Sequence, residues 1–103
     1  GVTVSQQASR HGAFKQPGGK LVQVAFSIRD GFLCDVQVSG DFFLEPEDAL
    51  LAITAAVEGS PVDASENERA VLIAAALGPD VEWLGSSPAG LATAIARALD
   101  ADG

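Results

Sequence analysis

The side chains that could do chemistry fall in two short motifs, and the first is Pro17-Gly18-Gly19-Lys20. Paired glycines let a backbone approach an anion closely, and a lysine ammonium supplies a point charge for it. The motif lacks the spacing of a nucleotide-binding P-loop, and a predicted strand follows it where a P-loop has a helix. The same residues are typical of a hairpin turn. The sequence therefore leaves open a structural turn and an anion-binding corner.

The second motif, Gly40-Asp41-Phe42-Phe43, lies where the last predicted strand passes into the first predicted helix. Adjacent side chains of an extended segment point in opposite directions, so both phenylalanines cannot enter one small core. One is expected to pack inward. The other either packs against the helix start or is exposed as an anchor for a partner protein. Asp41 fits a turn cap or an ion pair with Lys20.

The remaining candidates favour no catalytic set and no metal site. His11 is the sole histidine and is expected to be an ordinary surface residue. One cysteine and one histidine cannot build a zinc site. Cys34 is expected to be a small buried residue of a strand, and its alternative is a reactive thiol. The carboxylates of Glu45, Glu47 and Asp48 fit a helix start better than a metal cluster.

The elements that must position these residues change type halfway along the chain. Residues 21–29 and 32–39 alternate apolar and polar side chains about Asp30-Gly31, which is a strong hairpin signal. Leu33 is apolar but out of phase, which suggests a bulge near this turn. Residues 10–16 form a third strand before the Pro-Gly-Gly turn. The first half is therefore predicted to be a three-stranded antiparallel meander.

Three helices are predicted in the second half. The first begins with Pro46 as its first helical residue and ends at Gly59. The second, Glu66–Leu77, starts at a capping box on Ser65 and is apolar nearly all round, so it is expected to be buried on more than one side. The third covers about Pro88–Leu99 with Ser87 as its cap. Strands followed by helices indicate an α+β fold with the helices packed on one face of the sheet.

Length and charge bound the function. A chain of 103 residues forms one domain. Its net charge of −8 argues against nucleic acid as a partner, and no apolar stretch approaches the ~20 residues that span a bilayer. Residues 1–40 carry four basic and two acidic side chains, whereas residues 41–103 carry two basic and twelve acidic side chains. A single cysteine fits a reducing compartment, and a cytoplasmic location is expected.

Two motifs with their order and spacing, PGGKLV at 17–22 and GDFFLEPE at 40–47, resemble the small C-terminal accessory domain of lipoate–protein ligase. In some organisms this domain is a separate chain beside the catalytic one. The resemblance covers about residues 10–100, with 60–100 matched in pattern only. Residues 1–9 are expected to be a flexible N-terminal segment. The family fold that the resemblance implies is similar to that of sulfur-acceptor and iron–sulfur scaffold proteins.

The resemblance also implies a function. The family activates lipoate with ATP and magnesium to lipoyl-AMP, then acylates a lysine on lipoyl domains of 2-oxoacid dehydrogenases or on the glycine-cleavage carrier protein. The catalytic domain holds the catalytic lysine, and the small domain is needed chiefly for adenylation. This chain is therefore expected to be non-catalytic alone, to bind no cofactor by itself, and to have the catalytic domain of the ligase as its partner.

Pairing through the Asp30-Gly31 hairpin sends both motifs to the same end of the meander. The residues expected at this edge, which would dock on the catalytic domain and help close the adenylate site, are Pro17, Gly18, Gly19, Lys20, Gly40, Asp41, Phe42 and Phe43. Two other classes remain open. One is a sulfur-transfer protein that uses Cys34 as persulfide acceptor, and the other is a generic protein-interaction module anchored by one of the phenylalanines.

Overall fold

The computed structural model describes residues 9–15 and 17–100 and confirms the α+β fold. Three antiparallel strands are followed by three helices, and a second, two-stranded sheet is added. The elements in chain order are β1 (Ser9–Lys15), β2 (Leu21–Arg29), β3 (Phe32–Gly40), β4 (Phe43–Glu45), α1 (Asp48–Val57), α2 (Glu66–Ala76), β5 (Glu82–Leu84) and α3 (Pro88–Asp100). The predicted flexible segment 1–9 lies outside the described residues except for Ser9, which begins β1.

The meander β1-β2-β3 forms as its alternation predicts. Asp30 and Gly31 both have positive φ, at 56° and 84°, which matches the right-handed twist of the strands they join. Val22, Val24 and Phe26 of β2 are buried on the face that the helices cover. The opposite face of the meander carries mostly polar and small side chains.

A bulge in β3 changes which of its side chains reach the core. Ala25 pairs with Gln37 and Ser27 pairs with Cys34, so β3 has one residue more than β2 across this interval. Asp35 supplies it with a φ of 53°. Leu33 and Val36 are consequently both buried. Cys34 is turned out of phase and is only half-buried, so the prediction of a buried cysteine is wrong.

Helix α3 lies directly on the meander because the residues between them are small. A Cβ atom built on Gly12 of β1 would lie 2.1 Å from the carbonyl oxygen of Ala94 in α3. Ala94 and Ala98 are fully buried in the same contact. The helix starts as predicted, since the main-chain N–H of Gly90 donates to the Ser87 hydroxyl at 3.0 Å.

Helix α2 starts at the predicted capping box, with Ser65 and Glu68 bonded in both directions. Arg69 is 1% exposed and donates to the carbonyl oxygen of Pro61. Burial lowers the pKa of Arg69, and the carboxylates of Asp63 and Glu68 oppose that effect. The predicted burial on more than one side is wrong. Helices α1 and α3 both pack on the side of α2 that carries Arg69 and Ile73. The opposite side is left uncovered, and Val71 there is 61% exposed.

The second sheet was not predicted. β4 and β5 pair antiparallel, with Leu44 opposite Trp83, and both side chains pack against the core. The insertion of β4 also delays the first helix. Pro46 follows a cis peptide bond and precedes the helix, which begins at Asp48, so its predicted place as first helical residue is wrong. Among the described residues, no helix has the length and apolar character needed to cross a membrane.

Candidate functional site

The two sequence motifs meet at one end of the meander. Val22 of β2 pairs with Gly40 of β3, and the main-chain N–H of Asp41 donates to the carbonyl oxygen of Leu21 at 3.2 Å. The turn that precedes β2 and the segment that leaves β3 are therefore neighbours. The structure brings together the residues that the sequence proposed as one edge.

A third segment joins them that the sequence did not indicate. The main-chain N–H of Lys20 donates to the carbonyl oxygen of Gly85, just after β5, at 2.8 Å. Gly85 has a φ of 93°, and a Cβ atom there would lie 2.7 Å from Cγ of Lys20. Only a residue without a side chain allows this approach. We call the surface formed by Pro17–Lys20, Gly40–Phe43 and Gly85 the Lys20 corner.

The glycine-rich segment of the Lys20 corner is a hairpin turn with an exposed lysine. Pro17 and Gly18 form the turn between β1 and β2, and Gly18 has a φ of 74°. The side chains of Lys20 and Asp41 are both exposed. Within residues 9–15 and 17–100 no ion pair joins them, so Asp41 does not orient Lys20 by direct contact. The ammonium of Lys20 is accessible to an anion or a partner carboxylate.

The two phenylalanines have different surroundings. Phe42 is half-buried, and its ring meets the ring of Trp83 edge to face at a centroid distance of 5.7 Å. Gly40 makes room for it, since a Cβ atom there would lie 3.0 Å from the Phe42 ring. Phe43 is 49% exposed. Of the two expectations for the second phenylalanine, the structure favours the exposed one.

Phe43 is not exposed alone. It lies directly opposite Leu84 of β5, and Leu84 is 54% exposed. Directly opposite residues of an antiparallel pair place their side chains on the same face, with Cβ atoms roughly 5 Å apart. Sequence reasoning missed Leu84. A three-residue strand has too few positions to show alternation, so nothing in the sequence linked it to Phe43.

The other candidates lie away from the Lys20 corner. His11 is exposed on the open face of the meander, as predicted, beside Gln23 and Gln37 in a shallow depression. Cys34 lines a different depression with Arg29 and Glu58. In the described part of the chain, no group of three or more His, Cys, Asp or Glu side chains is arranged to hold a metal ion.

A comparison of folds connects this geometry with a known system. A solved structure superposes on the chain with a TM-score of 0.61 and 21% sequence identity, covering 87% of this chain and 94% of the other. It describes an archaeal lipoylation system, a bipartite lipoate protein ligase and its E2 lipoyl domain from Thermoplasma acidophilum. The two chains share one fold. The resemblance identified in the sequence is thereby confirmed at the level of the fold.

The match covers nearly the full length of both chains, so the matched chain is about as long as this one. No family model matches the sequence. No curated protein matches it either. The fold and the two motifs are therefore the features that indicate a function.

Proposed function

We propose that this chain is the non-catalytic accessory domain of a lipoate–protein ligase and acts with a separate catalytic domain in the ATP-dependent formation of lipoyl-AMP. The observation that carries the proposal is the Lys20 corner. The motifs at 17–22 and 40–47, both resembling those of the accessory domain, become neighbours in space through a hydrogen bond from the main-chain N–H of Asp41 to the carbonyl oxygen of Leu21. The fold that brings them together is also found in a lipoylation system.

The chemistry of the corner suits the closing of an adenylate site. Lys20 has an exposed ammonium next to glycines that let another surface come close. Placed near the phosphate of an acyl-adenylate, this charge would stabilise the negative charge that develops during adenylation. Covering the site would also keep water away from the acyl-adenylate, a mixed anhydride, and so protect it from hydrolysis. Both effects act through a partner that holds the substrates.

The assignment as the accessory component is supported by size. The match with the archaeal chain is close to end-to-end for both molecules, so the likeness is to a small chain and not to one segment of a much larger one. The partner we propose is the catalytic domain of the ligase, which would bind ATP, magnesium and lipoate. The lysines acylated afterwards would belong to lipoyl domains of 2-oxoacid dehydrogenases and to the glycine-cleavage carrier protein, in the cytoplasm.

The test separates the two half-reactions of the ligase. The chain is mixed at saturating concentration with the lipoate–protein ligase catalytic domain of the same organism, and lipoyl-AMP formation is followed. Lys20→Ala is expected to slow adenylation about tenfold, a loss of one well-placed charge, with partial rescue by Lys20→Arg. Transfer from preformed lipoyl-AMP to a lipoyl domain is expected to be unchanged. Equal loss in both steps, or no stimulation by the unsubstituted chain, contradicts the proposal.

A further inference from the structure

The outer face of the β4–β5 sheet has an unusual composition for a surface exposed to water. The register pairs Phe43 with Leu84 and Glu45 with Glu82, and all four side chains are exposed. Leu44 and Trp83, which alternate with them, point to the core instead. One side of this small sheet is therefore fixed to the domain, and the other presents an apolar pair next to a carboxylate pair.

Glu45 and Glu82 face each other across the β4–β5 pair and repel each other. Like charges directly opposite each other across an antiparallel pair are unfavourable. No lysine, arginine or histidine among the described residues forms an ion pair with Glu45 or Glu82. Neither carboxylate caps α1, whose first helical residue is Asp48 and whose cap position, Glu47, makes no side-chain hydrogen bond. A positively charged side chain of a partner protein, placed between the two carboxylates, would replace this repulsion with attraction.

The apolar pair and the carboxylate pair are continuous with the Lys20 corner. Leu84 immediately precedes Gly85, whose carbonyl oxygen accepts the N–H of Lys20. Phe43 ends the GDFF motif. A protein surface that covers the Lys20 corner therefore meets the outer face of β4–β5 as well. A partner that covers this face must therefore present an apolar surface to Phe43 and Leu84 and a positive charge to Glu45 and Glu82.

We propose that the outer face of β4–β5 is the anchoring surface for the catalytic domain of the ligase, and that the catalytic domain offers an apolar pocket for Phe43 and Leu84 with an arginine or lysine placed between Glu45 and Glu82. The identity of the partner rests on the proposed function. The anchor is distinct from Lys20, which acts on the adenylate. Aromatic and aliphatic side chains buried at the centre of an interface, with a desolvated ion pair beside them, contribute most of its affinity.

The first experiment measures the affinity of the chain for the separately expressed catalytic domain by titration calorimetry. Phe43→Ala and Leu84→Ala are each expected to weaken binding at least about tenfold. Leu51→Ala is the matched control, because Leu51 is 71% exposed on α1 and lies outside the proposed surface. Its affinity is expected to equal that of the unsubstituted chain.

The second experiment separates binding from folding. Glu82→Lys places an ammonium opposite Glu45, so it is expected to leave the melting temperature unchanged or raise it while weakening binding about tenfold. Asp100→Lys makes the same change of charge at the end of α3, near Arg10 and far from Lys20, and is expected to bind normally. Added salt is expected to weaken binding by the unsubstituted chain more than by Glu82→Lys.

The outcomes distinguish the two proposals. Normal binding by Phe43→Ala, Leu84→Ala and Glu82→Lys places the interface elsewhere and overturns the anchoring surface, while the proposed function survives. Weakening by the two control variants to the same degree also overturns it, because the effect is then not local. Failure of the unsubstituted chain both to bind the catalytic domain and to support lipoyl-AMP formation overturns the proposed function and the partner together.

Discussion

The substitution Gly12→Ala tests the contact that sets the distance between α3 and the meander. A Cβ atom at residue 12 would lie 2.1 Å from the carbonyl oxygen of Ala94 and 2.7 Å from the main-chain nitrogen of Ala98. Both atoms belong to the helix backbone, so no side chain can rotate away from the clash. To restore ordinary contact distances, α3 has to retreat by about 1 Å from a close-packed interface.

The magnitude follows from two opposing effects. Alanine stabilises a strand position relative to glycine by about 0.5–1 kcal/mol. Overpacking against a rigid neighbour costs about 1–3 kcal/mol. Retreat of α3 also loosens the contacts of Leu91 and Ile95, which are fully buried. We expect a net loss of about 1–2 kcal/mol in the free energy of unfolding, which lowers the melting temperature of a domain this size by roughly 4–16 °C.

The assay is urea and thermal unfolding followed by far-ultraviolet circular dichroism. Gly78→Ala is the matched control, because an added Cβ atom there has no neighbour within 4 Å and the backbone does not adopt positive φ. It is expected to be neutral or slightly stabilising. If the two variants unfold within about 0.5 kcal/mol of each other, Gly12 does not set the separation of helix and sheet, and the packing argument is refuted.

Three further substitutions test other features. Ser65→Ala removes the hydroxyl that accepts the N–H of Glu68 and is expected to cost about 1 kcal/mol in urea unfolding; an unchanged midpoint would show that the capping box adds nothing. Val71→Lys on the outer face of α2 is expected to change stability by less than about 0.5 kcal/mol, and a larger loss would mean that this face is covered. Cys34→Ser is expected to leave support of adenylation intact, whereas abolished activity would show that this thiol takes part in the adenylation step.

The meander could be predicted from the sequence because each of its signals is local. In residues 21–29 every second side chain from Val22 to Ile28 is apolar, and Asp30-Gly31 accepts the positive φ that the hairpin requires. The capping box at Ser65 is equally local, since it depends on two side chains three residues apart. In each case the energy that decides the structure comes from neighbours in sequence.

The features that were missed depend on distant residues. The strands β4 and β5 are three residues each and lie 36 residues apart, so neither carries a pattern that predicts the other. The out-of-phase Leu33 predicted a bulge near the Asp30-Gly31 turn, but it did not identify Asp35 as the extra residue, because aspartate tolerates a positive φ without requiring it. The apolar sequence of α2 predicted burial that the fold of this chain does not supply. Phe43 was identified as a candidate anchor, but its neighbour Leu84 became visible only with the second sheet.

Trp83, whose ring meets that of Phe42 edge to face, gives the molecule an intrinsic fluorescence signal beside the proposed interface. Trp83 is the sole indole of the chain and belongs to the strand whose opposite face we assign to the partner. Excitation of this fluorophore in a chain mixed with a tryptophan-free catalytic domain would report arrival of that domain in real time, without dyes or labels. Rapid mixing could then establish whether assembly precedes nucleotide binding or follows it.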